Sequence, residues 1–145
     1  MNVTIEKALA ATPDLVSGLN GLLPQLSSSA PLLTMKDLQE MVDSDAVTLF
    51  VATDGGVTVG TLTLVVFSIP TGLRAWIEDV IVDEGARGIG IGEALIVAAI
   101  NEARTRGVRS IDLTSRPSRD AANALYRRLG FERRDTNVYR FMLDG

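Results

Sequence analysis

The chain contains no cysteine and no histidine. Disulfides, thiolate and imidazole metal ligands, a cysteine nucleophile and any histidine-based triad are therefore excluded, and no metal is expected. Acid–base chemistry falls to carboxylates, Tyr, Ser/Thr and backbone groups. Proline is scarce, at 5 residues against 46% hydrophobic content, which argues for a packed core rather than disorder. No apolar run reaches the length of a membrane span. The start, Met1-Asn2-Val3-Thr4-Ile5-Glu6, lacks a basic region followed by an apolar stretch. A soluble, cytoplasmic protein without a membrane partner is the expectation. No Lys follows Lys36, so a P-loop, which needs Gly-Lys-Ser/Thr, is absent. No aromatic–basic cluster accompanies the negative net charge, which disfavours a nucleic-acid partner. With no internal repeat or linker, the 145 residues read as one domain, 1–145.

The net charge of −4 is unevenly spread. Residues 1–86 carry 11 acids and 3 bases, whereas 87–145 carry 7 acids and 11 bases. A basic second half suits a polyphosphate ligand and an acidic first half suits a cationic amine.

Along the chain, Val3 to Ala8 alternates as a first strand. Thr12-Pro13 opens a helix with a Leu15, Leu19, Leu22 and Leu23 stripe, and Thr34 caps a second helix facing inward through Leu38, Met41 and Val42. Val47–Thr53, Val57–Phe67 and Arg74–Val82 read as three antiparallel strands, the first two joined by the turn Asp54-Gly55-Gly56. A helix from about Gly90 to Arg106 follows, stopped by Gly107, and then a parallel strand, Val108–Leu113. Ser118 opens a last helix that Gly130 ends, and Phe131–Arg134 and Val138–Leu143 are expected as closing strands. The order β-α-α-β-β-β-α-β-α-β-β implies a mixed α/β (α+β) fold, a mostly antiparallel sheet with helices on both faces.

Between the third antiparallel strand and the long helix lies Arg87-Gly88-Ile89-Gly90-Ile91-Gly92. A strand, a glycine turn and a helix start aim consecutive backbone N–H groups at one point, where the helix dipole also favours negative charge. Glycine leaves that backbone open to an anion. The loop reads as a pyrophosphate cradle; a tight turn that binds nothing is the alternative. The dinucleotide fingerprint Gly-x-Gly-x-x-Gly fails, because Glu93 and Leu95 stand where its third glycine would be.

The stretch does match Arg/Gln-x-x-Gly-x-Gly/Ala, through Arg87, Gly90 and Gly92, and it follows Glu78-Asp79-Val80-Ile81-Val82. In this it resembles the acetyl-CoA site of the GNAT superfamily of N-acetyltransferases. Asn123-x-x-Tyr126 followed by Gly130-Phe131 is similar to the last helix and following strand of that fold. The resemblance implies acetyl-CoA as acyl donor and a primary amine as acceptor, with direct transfer in a ternary complex. It further implies that Arg87, Gly88, Ile89, Gly90 and Gly92 hold the pyrophosphate. The strand segment Val80, Ile81, Val82 would pair with the pantetheine arm, chiefly through Val80 and Val82, and Asn123 would bond to that arm. Tyr126 would protonate the leaving thiolate.

Glu78 is the expected base, acting directly or through a water, with charge attraction for a cationic amine as the alternative role and Asp79 as the fallback. On a regular strand Trp76, Glu78, Val80 and Val82 face one way and Ile77, Asp79 and Ile81 the other. A second likeness, carried by Ile77 to Val80, Tyr126 and Asn137-Val138-Tyr139, is to the small glucosamine-6-phosphate N-acetyltransferases. It implies an amino-sugar phosphate held by Arg116 or Arg140, and a homodimer. A non-catalytic acyl-CoA-binding module is the reading from another class; it would not need Glu78 and Tyr126.

Overall fold

The computed structural model describes residues 2–143. It falls into two compact units, the chain up to Thr114 and the chain from Ser115. The first holds a five-stranded sheet in the order β1-β2-β3-β4-β5. Its strands are β1 (Val3–Lys7), β2 (Val47–Asp54), β3 (Val57–Ile69), β4 (Gly72–Val82) and β5 (Ser110–Asp112). The first four pair antiparallel and β5 joins β4 in parallel, over Arg74 to Trp76 alone. Helices α1 (Pro13–Leu26), α2 (Met35–Asp43) and α3 (Ile91–Thr105) complete this unit. The expected α/β architecture is thus the observed one.

Local chemistry sets the element ends. The Thr12 side chain accepts from Leu15 N, and Thr34 forms a capping box with Asp37, each bonding the other's backbone N–H. This hydrogen bonding holds the Asp37 carboxyl below the usual range, the Thr34 side chain being the larger cause. Gly55 and Gly56 at φ +56 and +87 form the two-residue turn between β2 and β3 that right-twisted strands favour.

The register sorts the core into two faces. Leu49 and Val51 of β2 pack with Leu19 of α1 and Leu38 of α2. Phe50 and Ala52 point the other way, as does Gly60, which pairs with Ala52. A Cβ added at Gly60 would stand 3.2 Å from Ile91 Cγ2, so this face carries α3. The long apolar stretch of α3 is accounted for here, since Ile91, Leu95, Ile96, Ala99 and Ala103 are buried. Lys7 of β1 and Glu102 of α3 form an ion pair on the same side.

The second unit contains α4 (Asp120–Arg128), ended by Gly130 at φ +104. Two expectations are corrected in it. Ser118 does not cap α4: Arg119 holds that position and makes no side-chain cap. Residues 131–134 and 138–143 form no strand among the described residues. Val138, Tyr139, Phe141, Met142 and Leu143 are instead 71–88% exposed. Their apolar side chains fall on both alternating sets, so the pattern picks no buried face, and a strand exists only where another strand takes its hydrogen bonds. Among the described residues no helix is long and apolar enough to cross a membrane.

Gly60 is hemmed in on this face, with the Ile81 carbonyl oxygen also 3.2 Å and Ala52 Cβ 3.3 Å from an added Cβ. Gly60→Ala should lower stability by about 1–3 kcal/mol. A urea titration should show a lower midpoint at unchanged slope.

Candidate active site

β4 carries the first part of the site, and its geometry turns on Asp79. Up to Glu78 its pairing with β3 is regular: Arg74 faces Phe67, Trp76 faces Val65 and Glu78 faces Thr63. Beyond it Ile81 faces Thr61 and Val82 faces Gly60, so Asp79 and Val80 together oppose Leu62. This is a β-bulge, and Asp79 sits in it at φ +50, the one described non-glycine residue with positive φ.

The bulge has two consequences. Side chains beyond it change faces. Glu78 shares the α1/α2 side with Thr63 and Trp76, as the alternation predicts, but Ile81 joins that side through Thr61. Val82 goes to the α3 side through Gly60. The expected grouping of Glu78 with Val82 and of Ile77 with Ile81 is corrected accordingly.

Main-chain groups also change edges. The Leu73 carbonyl accepts from Arg109 N, so before the bulge odd-numbered peptide groups point toward β5. Asp83 N donates to Val59 O, so after the bulge odd-numbered groups point toward β3. Val80 and Val82 therefore aim their N–H and C=O groups at the edge where β5, ending its pairing at Trp76, no longer runs alongside. Ile81 turns its own groups to β3.

The turn after β4 is tied down at several points. Asp83 accepts from Gly85 N at 3.1 Å and from Gln25 Nε2 at 2.8 Å, while Gln25 Oε1 accepts from Glu84 N at 3.1 Å. The end of α1 thus fixes the entry to the glycine loop. Arg87 Nε donates to the Val82 carbonyl at 3.2 Å, which draws the guanidinium back along the loop. Gly88 and Gly90 have φ +84 and +89, and an added Cβ at either would meet no atom within 4 Å. Glycine is required there by conformation, and the space above the backbone is clear. Gly90 is the N-cap of α3 and makes no side-chain cap bond, so the first-turn amides, those of Ile91 and Gly92 among them, have no side-chain acceptor at the cap. The N-terminus of a 15-residue helix with no cap side chain at Gly90 suits an anion such as pyrophosphate.

In the second unit, Asn123 and Tyr126 lie one helical turn apart on α4. Asn123 Nδ2 donates to the Arg116 carbonyl at 3.0 Å, which ties down the approach to the helix and leaves Oδ1 for another donor. Tyr126 packs edge-on against Phe131, with centroids 5.9 Å apart. Burial pushes its phenol up, against a smaller opposing effect from Arg119, so the hydroxyl stays protonated at neutral pH.

Sequence reasoning missed Gln25, Asp83 and Trp76. The Asp83-x-Gly85 spacing is an Asx-turn signal for the second. Nothing local marks Gln25, whose partners are 58 and 59 residues away.

The model of the acetyltransferase (GNAT) family matches residues 18–131. A mycothiol acetyltransferase of Paenarthrobacter aurescens is 43% identical over 53 residues, which is 37% of this chain and 16% of that protein. The chain therefore spans only a small part of the length of that curated relative. A putative acetyltransferase from Agrobacterium tumefaciens superposes with a TM-score of 0.84 at 28% identity, covering 96% of this chain and 99% of that one. The aminoglycoside N-acetyltransferase AAC(6')-Iy, solved in complex with CoA, superposes at 0.81 over 97% of this chain and 95% of its own; at 19% identity it shows the fold alone.

Two outcomes test this geometry. Gly90→Ala places a Cβ at φ +89, costing about 1–2 kcal/mol, and should weaken binding of inorganic pyrophosphate several-fold by calorimetry. The phenolate absorbance of Tyr126, isolated as the difference from Tyr126→Phe, should have its midpoint above the ordinary value of 10.0.

Proposed function

Since this chain belongs to the acetyltransferase (GNAT) family, we propose that it moves an acetyl group from acetyl-CoA to a primary amine of a small molecule or peptide by direct attack. One observation carries the reading: the parity change at Asp79 directs the main-chain groups of Val80 and Val82 to an edge that β5 leaves free, one turn before the uncapped start of α3. An extended amide-bearing arm can add to such an edge as a strand does, while its diphosphate reaches the helix amides. The residues thus suit both ends of one coenzyme.

Acetyl-CoA supplies an acyl group activated as a thioester. Val80 holds the arm through main-chain hydrogen bonds, joined by the Val82 N–H, since the Val82 carbonyl accepts from Arg87 Nε, and the amides from Arg87 to Gly92 hold the pyrophosphate. The Val80 N–H, directed at the same edge, is placed to stabilise the carbonyl oxygen as it gains negative charge. Glu78 draws in the ammonium and takes the proton the amine must lose, directly or through a water. As the N–C bond forms and the C–S bond breaks, the protonated Tyr126 is the group we assign to the departing sulfur. No covalent acyl-enzyme is needed, in keeping with a chain that lacks Cys and His.

The acceptor we favour is a cationic amine. Glu78 and Asp79 lie in the half of the chain with 11 acids and 3 bases.

A thiol reagent can follow CoA release against a panel of amines, and the protein contributes no thiol of its own. Turnover is expected with polycationic amines. Glu78→Gln should lower kcat/KM about 100-fold and flatten the rise of rate with pH. An unchanged profile would remove Glu78 as base. Acetyl-CoA binding without turnover on any amine would turn the reading to a non-catalytic acyl-CoA-binding module.

A further inference from the structure

Glu78 is an exposed side chain on the last regular residue before the bulge, yet its carboxylate has a hydrogen-bond partner on the same strand. Trp76 Nε1 donates to Glu78 Oε1 at 2.8 Å. The two side chains meet because strand alternation persists through Glu78: both lie on the α1/α2 side, opposite Val65 and Thr63. A bulge one residue earlier would have parted them. The indole itself is half-buried, beside Val65 on β3 and in register with Asp112 on β5.

A long exposed carboxylate samples many rotamers, and holding one of them removes an entropic cost from any step that uses it. A hydrogen bond to an ionised oxygen is among the stronger neutral–charged contacts available for this. The indole N–H can only donate, so it fixes Oε1 and cannot compete for a proton. Among the described residues Glu78 Oε2 has no hydrogen-bond partner.

We infer that Trp76 is a positioning residue: it anchors Glu78 through Oε1 and leaves Oε2 as the oxygen that meets the acceptor amine. This rests on the reading of Glu78 given under Proposed function. Trp76 is also the single tryptophan of the chain, so the fluorescence comes from this indole, whose hydrogen-bond partner is the Glu78 carboxylate.

The test is a double-mutant cycle on the full chain, followed by CoA release, with Trp76→Phe keeping an aromatic ring and removing the N–H. Trp76→Phe should lower kcat roughly ten-fold while the KM for acetyl-CoA stays unchanged, as expected for loss of one hydrogen bond to a charged group. In a Glu78→Ala background the same change should cost almost nothing more, because there is no carboxylate left to hold. An equal loss in both backgrounds would mean a packing role only and overturn the inference. Full activity in Trp76→Phe, with Glu78→Ala impaired, would overturn it while the role of Glu78 stands. Full activity in Glu78→Ala would instead end the role of Glu78, and the inference with it. Should Trp76→Phe fail to fold, Glu78→Ala alone decides: the Trp76 emission must shift, and an unchanged spectrum overturns the pairing.

Discussion

Asp79 takes a backbone conformation that costs an L-residue free energy, at φ +50, and in return the second half of β4 reverses its parity. Without that extra residue, Ile77, Asp79 and Ile81 would direct their peptide groups away from β3, and Asp83 N would miss the Val59 carbonyl. With it, Val80 and Val82 face outward and Asp83 stays locked to β3. Asp is among the few side chains that tolerate this region, which lets the bulge occur without glycine. Oriented amides at the free edge and the fixed start of the glycine loop are thus two products of one bulge.

The rest of the first unit holds this arrangement still. α3 sits over Gly60 and buries Ile91, Leu95 and Ile96, so its N-terminus is anchored by the core. From the opposite face, α1 reaches the same turn through Gln25. The amides at the start of α3 are therefore preorganised, and an anion binding there need not order the loop first. Helix dipole and uncapped donors act together at one place, whereas the exposed carboxylate of Glu78 lies on β4, ahead of the turn that begins at Asp83, on the α1/α2 side of the sheet. On the proposed reading, phosphate and amine would be served by different parts of one strand–turn–helix run.

Much of this was legible in the residues. Gly88 and Gly90 announced a turn of positive φ, Thr12 and Thr34 announced helix starts, and Gly55-Gly56 a hairpin, because each signal depends on atoms only a few residues apart. The apolar run of the long helix likewise declared its burial. The bulge was not legible: Glu78-Asp79-Val80 contains no glycine, and its alternation looks unbroken until β3 supplies a register. The closing strands failed for a related reason. Val138 to Leu143 has the composition of a strand, but its apolar residues fall on both alternating sets and no partner was implied by the pattern.

The amino-acid sequence by itself determined the order of the elements up to α4, the placing of a helix N-terminus behind a glycine turn, and a chemistry confined to carboxylates, Tyr, Ser/Thr and backbone groups. These follow from local sterics and from which side chains exist. The tertiary structure alone decided which peptide groups of β4 face the open edge and which side Ile81 and Val82 occupy. Each of these depends on register between strands, a relation fixed by pairing distant segments and not by any property of the segments taken singly.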